Sequence, residues 1–557
     1  MSGIFLEITI VICLAAFFSI VLRFFKQPPI LAYILTGIVI GPFGQLQLQH
    51  TQELRMMAEL GITLLLFMLG LEFKLKDLRS IGKTAFLVGI PQILLTFLAG
   101  YFLSLWLGFA TVAALYIAAA LTFSSTIIIV KLLANKRDLH SLYGKITIGI
   151  LLLQDMVAIV TLMFLSTFSA AQGVFVTTVG ITIIKAIMLF GIVAFLGKYI
   201  FPRLLDWLAK SDETLLLFSL GWTLGLALLV TSPIFGFSIE IAGFLAGIAL
   251  ANSTENFQII SRVRALQDFF ITIFFVMLGL EIGGGTQIIL FPAVVLFLFV
   301  VLVKPFVIMV STGLLGYRKR TSFFTGFHLG QVSEFSFIII LLGSKLGHIP
   351  QSVVTTVTVV GLASFAVSTY VSLYTNTLYM LLKKYLHIFE FGIIHHKVSD
   401  TEEEIASFSN HVALIGANRM GSSILDALLA EGENVIVVDF DPDIVSELKE
   451  RGVMSFFGDI ADLDIQERAG LSSAKLVIST VSDVNDNMLL LDNLRRNNNK
   501  VRVVVVARDF ADAKLLYDKG ADYVVVPHVI GGKHLAKMIK EDSLDKIDGR
   551  KLPKNLQ

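Results

Sequence analysis

Two stretches of this chain, 209 residues apart, spell the same five letters inside apolar runs: Met68-Leu69-Gly70-Leu71-Glu72 and Met277-Leu278-Gly279-Leu280-Glu281. Gly37-Ile38, in the run Ile34 to Pro42, returns as Gly247-Ile248 in Phe244 to Asn252 at an offset of 210. The polar interruption Thr122-Phe123-Ser124-Ser125-Thr126 has a counterpart at Gln331-Val332-Ser333-Glu334, offset about 208. Helices rich in small residues resemble one another by chance, so each match alone is weak. Three in one register imply an internal duplication. Duplicated halves with helices interrupted in corresponding places are the pattern of a secondary transporter, whose site lies near the bilayer midplane between the repeats.

Composition places most of the chain in a membrane. Of 557 residues, 55% are hydrophobic, and the mean hydropathy is +0.80; this is a polytopic membrane protein with a soluble part attached. A net charge of +1 supplies no field for nucleic acid. Cys13 is the only cysteine, which excludes an intramolecular disulfide and leaves no basis for cysteine-bound metal or redox chemistry. The N-terminus has no basic segment and no small-residue cleavage site, so its first apolar run reads as a retained helix.

Apolar runs suited to about 30 Å of hydrocarbon fall near 4–22, 30–44, 56–72, 84–106, 112–133, 145–168, 174–200, 214–231, 237–252, 266–282, 288–315, 322–345 and 352–382. They predict an all-α polytopic membrane domain of about thirteen helices with inverted repeats and broken helices. The first six pair with the last six, and the seventh is a linker. The shortest, second and ninth, occupy matching places. Odd-numbered loops carry eighteen Lys and Arg, whereas even-numbered loops carry only Arg55 and Lys345. The positive-inside rule then puts the N-terminus outside and the C-terminal part in the cytoplasm.

Four segments are expected: 1–383 as the membrane exchanger domain, 384–410 as a charged linker, 411–541 as a nucleotide-binding domain and 542–557 as a tail. The third alternates β-rich and helical runs, with strands read at His411–Gly416, Asn434–Phe440, Val453–Phe457, Lys475–Thr480, Val501–Ala507 and Asp522–Pro527. Fully apolar strands such as Val435-Ile436-Val437-Val438 suit a parallel sheet covered on both faces. The expected architecture is therefore an α/β, Rossmann-like cytoplasmic domain.

Asp155 sits mid-helix in Ile150-Leu151-Leu152-Leu153-Gln154-Asp155-Met156-Val157. An ionisable group there costs several kcal/mol unless paired, protonated or hydrated, so it is a functional residue by default. One carboxylate can hold a proton or a desolvated alkali cation, but hardly both; that competition is the simplest basis for exchange. Gln154 adds an amide oxygen, a neutral ligand for a hard monovalent ion. Thr122, Ser124, Ser125 and Thr126 form a helix break whose hydroxyls and carbonyls can face a cavity. A second break is expected at His328-Leu329-Gly330-Gln331-Val332-Ser333-Glu334. Where two breaks cross, opposed half-helix dipoles need compensating charge, which Lys304 and Glu334 could supply. Lys304 has two further readings, as a counter-ion for Asp155 and as a proton carrier. Lys185 and Glu240 read as snorkelling or packing, and Glu72 and Glu281 as structural repeats.

These residues together resemble the monovalent cation:proton antiporter-2 family, most closely its Kef-type potassium/proton branch. The resemblance runs over nearly the whole chain. Its motifs stand as Gln27-Pro28-Pro29 with Gly37 and Gly41-Pro42, Glu59-Leu60-Gly61 through Gly70-Leu71-Glu72, Ser124-Ser125-Thr126, Gln154-Asp155, Gly243-Phe244-Leu245-Ala246-Gly247, Phe274-Phe275 with Gly279, and Gln331 with Glu334-Phe335. The resemblance implies a homodimer in a bacterial cytoplasmic (inner) membrane, with a scaffold and a mobile core. Asp155 would be the alkali-cation and proton site, with Lys304, Glu334 and Gln331 around it. Gln-Asp in place of Asp-Asp is the form of potassium-type relatives, whereas Lys304-Pro305 resembles the electrogenic members. Ser333 stands where the family has glycine.

In the soluble part, Gly416-Ala417-Asn418-Arg419-Met420-Gly421 follows a strand and opens a helix, and Asp439 ends the next strand. The arrangement suits phosphates at a helix N-terminus and an acidic side chain on ribose hydroxyls. It resembles the TrkA-N (RCK) domains that regulate potassium transporters. The resemblance adds Gly458, Asp459 and Thr480 to the pocket, with Arg419 near phosphate. Asn418 replaces the second glycine. The implied ligand is a regulatory adenine nucleotide, AMP or NAD(H), with no catalytic cofactor.

The function expected is potassium/proton antiport gated by that domain, with sodium/proton antiport or a ligand-gated potassium efflux channel as alternatives. The channel lacks a Thr-Val-Gly-Tyr-Gly filter. A membrane-anchored NAD-dependent oxidoreductase lacks a substrate domain, so no enzyme is expected.

Overall fold

In hydrocarbon every backbone N–H and C=O must find a partner within the protein, and the chain answers with helices. The structure is a computed structural model that describes residues 3–41, 50–72, 82–136, 138–139, 141–168, 175–208, 211–232, 234–237, 239–251, 253–282, 289–389, 410–418, 420–497 and 500–540. It divides into two compact units, one of 1–136, 143–315 and 322–389, the other of 137–142, 316–321 and 390–557.

All thirteen apolar runs contain helix, but among the described residues only ten helices are long and apolar enough to cross a membrane. The count of thirteen spanning helices is therefore not confirmed. Pro29–Ile40 and Ile239–Leu250 have 12 residues each, and at about 1.5 Å per residue they fall short of about 30 Å of hydrocarbon. The run expected at 322–345 is split into Lys319–His328 and Glu334–Lys345. The fifth run is likewise split, into Thr111–Thr122 and Thr126–Lys136.

The two short helices bind the halves together. Pro29–Ile40 packs on Asn256–Glu281, and Ile239–Leu250 packs on Thr51–Glu72. Arg55 pairs with Glu281 at 3.3 Å and Arg264 with Glu72 at 3.3 Å, so both glutamates join one half to the other. Around Tyr116, Phe275, Phe337 and Phe365 lies one apolar core; a second surrounds Phe67, Phe201, Leu245 and Leu250.

Pro305 shapes the approach to Lys304. Proline donates no N–H and crowds the carbonyl four residues earlier, and a wide π turn at Phe299–Val303 takes up that mismatch before Lys304–Leu314 resumes. A Cβ on Gly326 would lie 2.8 Å from the Pro305 carbonyl oxygen, and one on Gly330 2.9 Å from the Pro305 ring. These glycines therefore let the second broken helix press against the segment carrying Lys304. Lys185 is half-buried; the Glu240 side chain lies outside the described residues.

In the second unit, six parallel strands lie in the order β3-β2-β1-β4-β5-β6: β1 Val412–Ile415, β2 Val435–Asp439, β3 Met454–Phe457, β4 Leu476–Ser479, β5 Arg502–Val506 and β6 Tyr523–Val525. Each expected strand is present and shorter at one or both ends. Val412 is in register with both Val435 and Leu476. The order reverses between β1 and β4, the switch point outside whose carboxyl ends a ligand binds in such sheets.

Candidate functional site

The two interruptions meet. Phe123–Ser125 and Leu329–Ser333 are both buried and non-helical. Ser124 Oγ donates to the Leu329 carbonyl at 2.9 Å, and Ser125 Oγ donates to Glu334 Oε1 at 2.6 Å. Gln331 Nε2 donates to the Ser125 carbonyl at 3.5 Å, and Ser368 donates to Gln331 Oε1 at 2.7 Å. The freed backbone is thus satisfied from the opposite strand of the crossing, which is what makes irregular backbone tolerable at this depth.

Charge is placed where the half-helix dipoles need it. Lys304, fully buried, donates from Nζ to the Phe123 carbonyl at 2.7 Å and to the Gln331 carbonyl at 2.8 Å. It therefore bridges the carbonyl-rich ends of Thr111–Thr122 and Lys319–His328. Of its three expected readings, helix-end compensation is the one with contacts; no carboxylate lies within ion-pair distance of it among the described residues. Glu334 occupies the first turn of its own half-helix and receives Ser125 from just ahead of the other. Ser333 caps that helix: its hydroxyl accepts from the Phe335 N–H at 3.2 Å, and Ser336 accepts from the Ser333 N–H at 3.1 Å. A glycine there could not do this.

Asp155 is buried beside the crossing. Thr126 Oγ1 donates to its Oδ2 at 2.8 Å, whereas Oδ1 is buried with no hydrogen-bond partner among the described residues. Gln154 is held on both sides: its Oε1 accepts from the Ser124 N–H at 2.8 Å, and its Nε2 donates to Gln92 Oε1 at 2.7 Å. Its amide oxygen thus already caps the broken helix. Thr122 bonds back to the Ala118 carbonyl within its own helix. Of the four hydroxyls in the first break, Thr126 alone touches Asp155. Gln92, bonded in turn to Thr96 at 3.2 Å, was not singled out from sequence. Its signal was there, an amide one residue past Pro91 inside a mainly apolar run.

In the second unit, Gly416 follows β1 at a φ of +82°. A Cβ on Gly421 would fall 1.9 Å from the Gly416 carbonyl oxygen, so the helix Met420–Ala430 starts in contact with the turn. Thr480 Oγ1 donates to that same carbonyl at 2.9 Å. Asp439 accepts from the Ala417 N–H at 2.7 Å and the Asp441 N–H at 2.9 Å, and burial raises its pKa. Asn418 accepts from the Gly421 N–H at 2.8 Å through its carbonyl, and Arg419 lies outside the described residues. Gly458 donates to the Asp439 carbonyl at 3.0 Å. Asp459 is engaged otherwise: Arg320, which belongs to the same unit, pairs with it at 3.3 Å and with Asp486 at 3.7 Å. Sequence reading missed that pair because 139 residues separate Arg320 from Asp459.

Residues 10–373 match the family described as sodium/hydrogen exchanger, transmembrane, and residues 412–527 match the TrkA-N domain. The chain is 28% identical over 526 residues to the putative cation/proton antiporter YbaL of Escherichia coli K12, covering 92% of each. It is 26% identical over 493 residues to the glutathione-regulated potassium-efflux system protein KefC of Escherichia coli O45:K1, covering 86% of this chain and 76% of that protein. The crystal structure of the TrkA-N domain of Escherichia coli YbaL aligns with 26% identity, covering 24% of this chain and 98% of that one at a TM-score of 0.23. With its exchanger region spanning more than half its length, the chain belongs to the sodium/hydrogen exchanger family of transmembrane proteins and carries a TrkA-N domain behind it.

Proposed function

We propose that this protein is a secondary antiporter that exchanges a monovalent cation, potassium first, for protons across a bacterial cytoplasmic membrane. The observation that carries this reading is Asp155 Oδ1, a buried carboxylate oxygen with no hydrogen-bond partner among the described residues, beside two crossed helix breaks. A carboxylate so placed takes a proton or a cation in turn, and Thr126 on its other oxygen holds it at the crossing. Gln154, locked by Ser124 and Gln92, orients the break beside the carboxylate. Lys304 and Glu334 stay bound to the crossing and neutralise the helix ends. The named relatives, a putative cation/proton antiporter and a potassium-efflux system protein, support the same class of transport. No covalent chemistry is needed, and a homodimer is the assembly proposed.

Sodium is the second reading, because a carboxylate and a hydroxyl fit either alkali cation and the family description names sodium. Purified protein in liposomes with an internal pH dye, challenged separately with potassium and sodium, decides. Proton movement driven by potassium but not sodium supports the first reading, the converse supports the second, and no movement with either rejects both.

We further propose that the TrkA-N domain binds an adenine nucleotide, AMP or NAD(H), at the carboxyl ends of β1 and β4, and that binding alters the exchange rate. A ligand that prefers one arrangement of the domain shifts whatever equilibrium is coupled to it. Calorimetry against AMP, ATP, NAD and NADH tests binding, and liposome flux with the binder tests coupling. Binding without a change in flux removes the domain from gating.

A further inference from the structure

The halves of the membrane unit repeat four charges at the spacing of the five-letter motif. At an offset of 209, Arg55 corresponds to Arg264, Glu59 to Asp268, Glu72 to Glu281 and Lys136 to Lys345. Lys136 and Lys345 are each the last residue of a half-helix that leaves the crossing.

Two of the four correspondences are used symmetrically. Arg55 pairs with Glu281 and Arg264 with Glu72, each at 3.3 Å, and exchanging the repeats turns one pair into the other. Both pairs join Thr51–Glu72 to Asn256–Glu281. The remaining two are used asymmetrically. Lys345 Nζ lies 2.7 Å from Glu59 Oε1, whereas Asp268, the counterpart of Glu59, forms no ion pair among the described residues. Lys136, the counterpart of Lys345, donates to the Ser372 carbonyl. Arg264 and Lys131 are the cations whose charge reaches Asp268, and Lys131 lies on the same half-helix as Lys136.

The formed pair ties Thr51–Glu72 to the half-helix that begins with Glu334; the unformed one would tie Asn256–Glu281 to the half-helix that begins with Thr126, the hydroxyl on Asp155. Inverted repeats that exchange conformations convert a transporter facing one side into one facing the other. We propose that Glu59–Lys345 and Asp268–Lys136 are alternative latches, one on each face of the membrane, and that each closes as the other opens during the transport cycle. In this structure the latch on the face of the even-numbered loops is closed. The inference rests on the alternating-access reading above.

A partly exposed ion pair shifts an equilibrium by at most about fivefold, so each latch biases the cycle without blocking it. The test uses the full-length protein in membrane vesicles in a Cys13→Ser background, since Cys13 is its only cysteine. Glu59→Cys with Lys345→Cys, and separately Asp268→Cys with Lys136→Cys, are treated with a short bifunctional thiosulfonate. Both pairs are expected to link. Adding Lys136→Gln to the first pair should raise its linking rate, and adding Lys345→Gln to the second should raise its rate, each by up to about fivefold. Linking of the first pair but not the second overturns the proposal, as does linking of Asp268→Cys to Lys131→Cys in its place. Linking of both without a response to the opposite Lys→Gln change also overturns it. Cation and proton flux of the Cys13→Ser protein is measured in parallel. Absence of flux there rejects the transport reading and leaves the linking result to report on the two conformations alone.

Discussion

Gly37 lies against Gly279: a Cβ on Gly37 would fall 2.8 Å from the Gly279 Cα and 2.0 Å from the Val276 carbonyl oxygen. Gly70 meets Gly247 in the same way, its Cβ falling 2.9 Å from the Gly247 Cα and 2.3 Å from the Phe244 carbonyl oxygen. Exchange of the repeats converts one pair into the other. Small residues at such positions let membrane helices approach backbone to backbone, where packing rather than the hydrophobic effect holds them.

Gly279→Ala should therefore destabilise the membrane unit by about 3 kcal/mol, because a methyl group would sit 2.1 Å from the Ile34 carbonyl oxygen and the helices would have to part. Gly221→Ala, whose methyl meets nothing within 4 Å, should stabilise slightly, by up to about 1 kcal/mol. Loss of the monodisperse peak on heating in detergent compares the two. Equal midpoints would show that the glycine contact carries no packing.

Asp155→Asn should reduce cation-driven proton movement to that of empty liposomes while the protein stays inserted and monodisperse. An amide cannot release a proton, and it offers a cation no charge. Exchange at the parent rate would take Asp155 out of the mechanism.

Lys304→Met should cost more in stability than in any specific transport step. It strips the Phe123 and Gln331 carbonyls of their donor in a buried crossing, about 1–3 kcal/mol for each acceptor left alone. Lys304→Arg, which keeps charge and donors, should recover part of the thermal midpoint. If Lys304→Met melts with the parent, the bridge is dispensable.

In the TrkA-N domain, Asp439→Ala should weaken nucleotide binding roughly tenfold or more, the loss of one or two hydrogen bonds to a charged acceptor. Gly421→Ala should do the same by pushing the helix from the Gly416 turn. Titration calorimetry reads both, and undiminished affinity in Asp439→Ala would move the ligand elsewhere.

His411 sets a pH dependence of known sign. Buried against the Ala469 carbonyl at 3.1 Å, it has a pKa lowered from 6.5, chiefly by burial. The unfolded chain takes up a proton near pH 6.5 that the folded domain resists, so this contribution is complete above pH 6.5 and is lost as pH falls below it. The raised pKa of Asp439 has the opposite effect: the folded domain holds that proton more tightly, and stability is gained as pH falls. The difference in melting temperature between residues 405–557 and their His411→Gln variant, from pH 8 to 5.5, isolates the histidine. A flat difference would refute its role.

The sequence alone determined the duplicated membrane part, the two interruptions, the parallel sheet and its glycine turn. Each of these follows from short-range rules: hydropathy, spacing of small residues, and strand–turn–helix order within a few dozen residues. It also named Asp155, Lys304 and Glu334, since charge inside an apolar run is visible without coordinates. Its count of thirteen spanning helices is not confirmed: ten helices among the described residues are long and apolar enough to cross a membrane, and hydropathy registers an apolar run and not whether the helix within it is short or broken. Only the tertiary structure decided what each charge touches. Lys304 reaches two carbonyls 181 and 27 residues away, and Gln92 enters the site through Gln154, 62 residues on. The partners of Glu72 and Glu281 lie 192 and 226 residues away, in the opposite repeat. Hydrogen bonds and ion pairs act over a few ångströms, and which distant residues come within that range depends on how the repeats interlock.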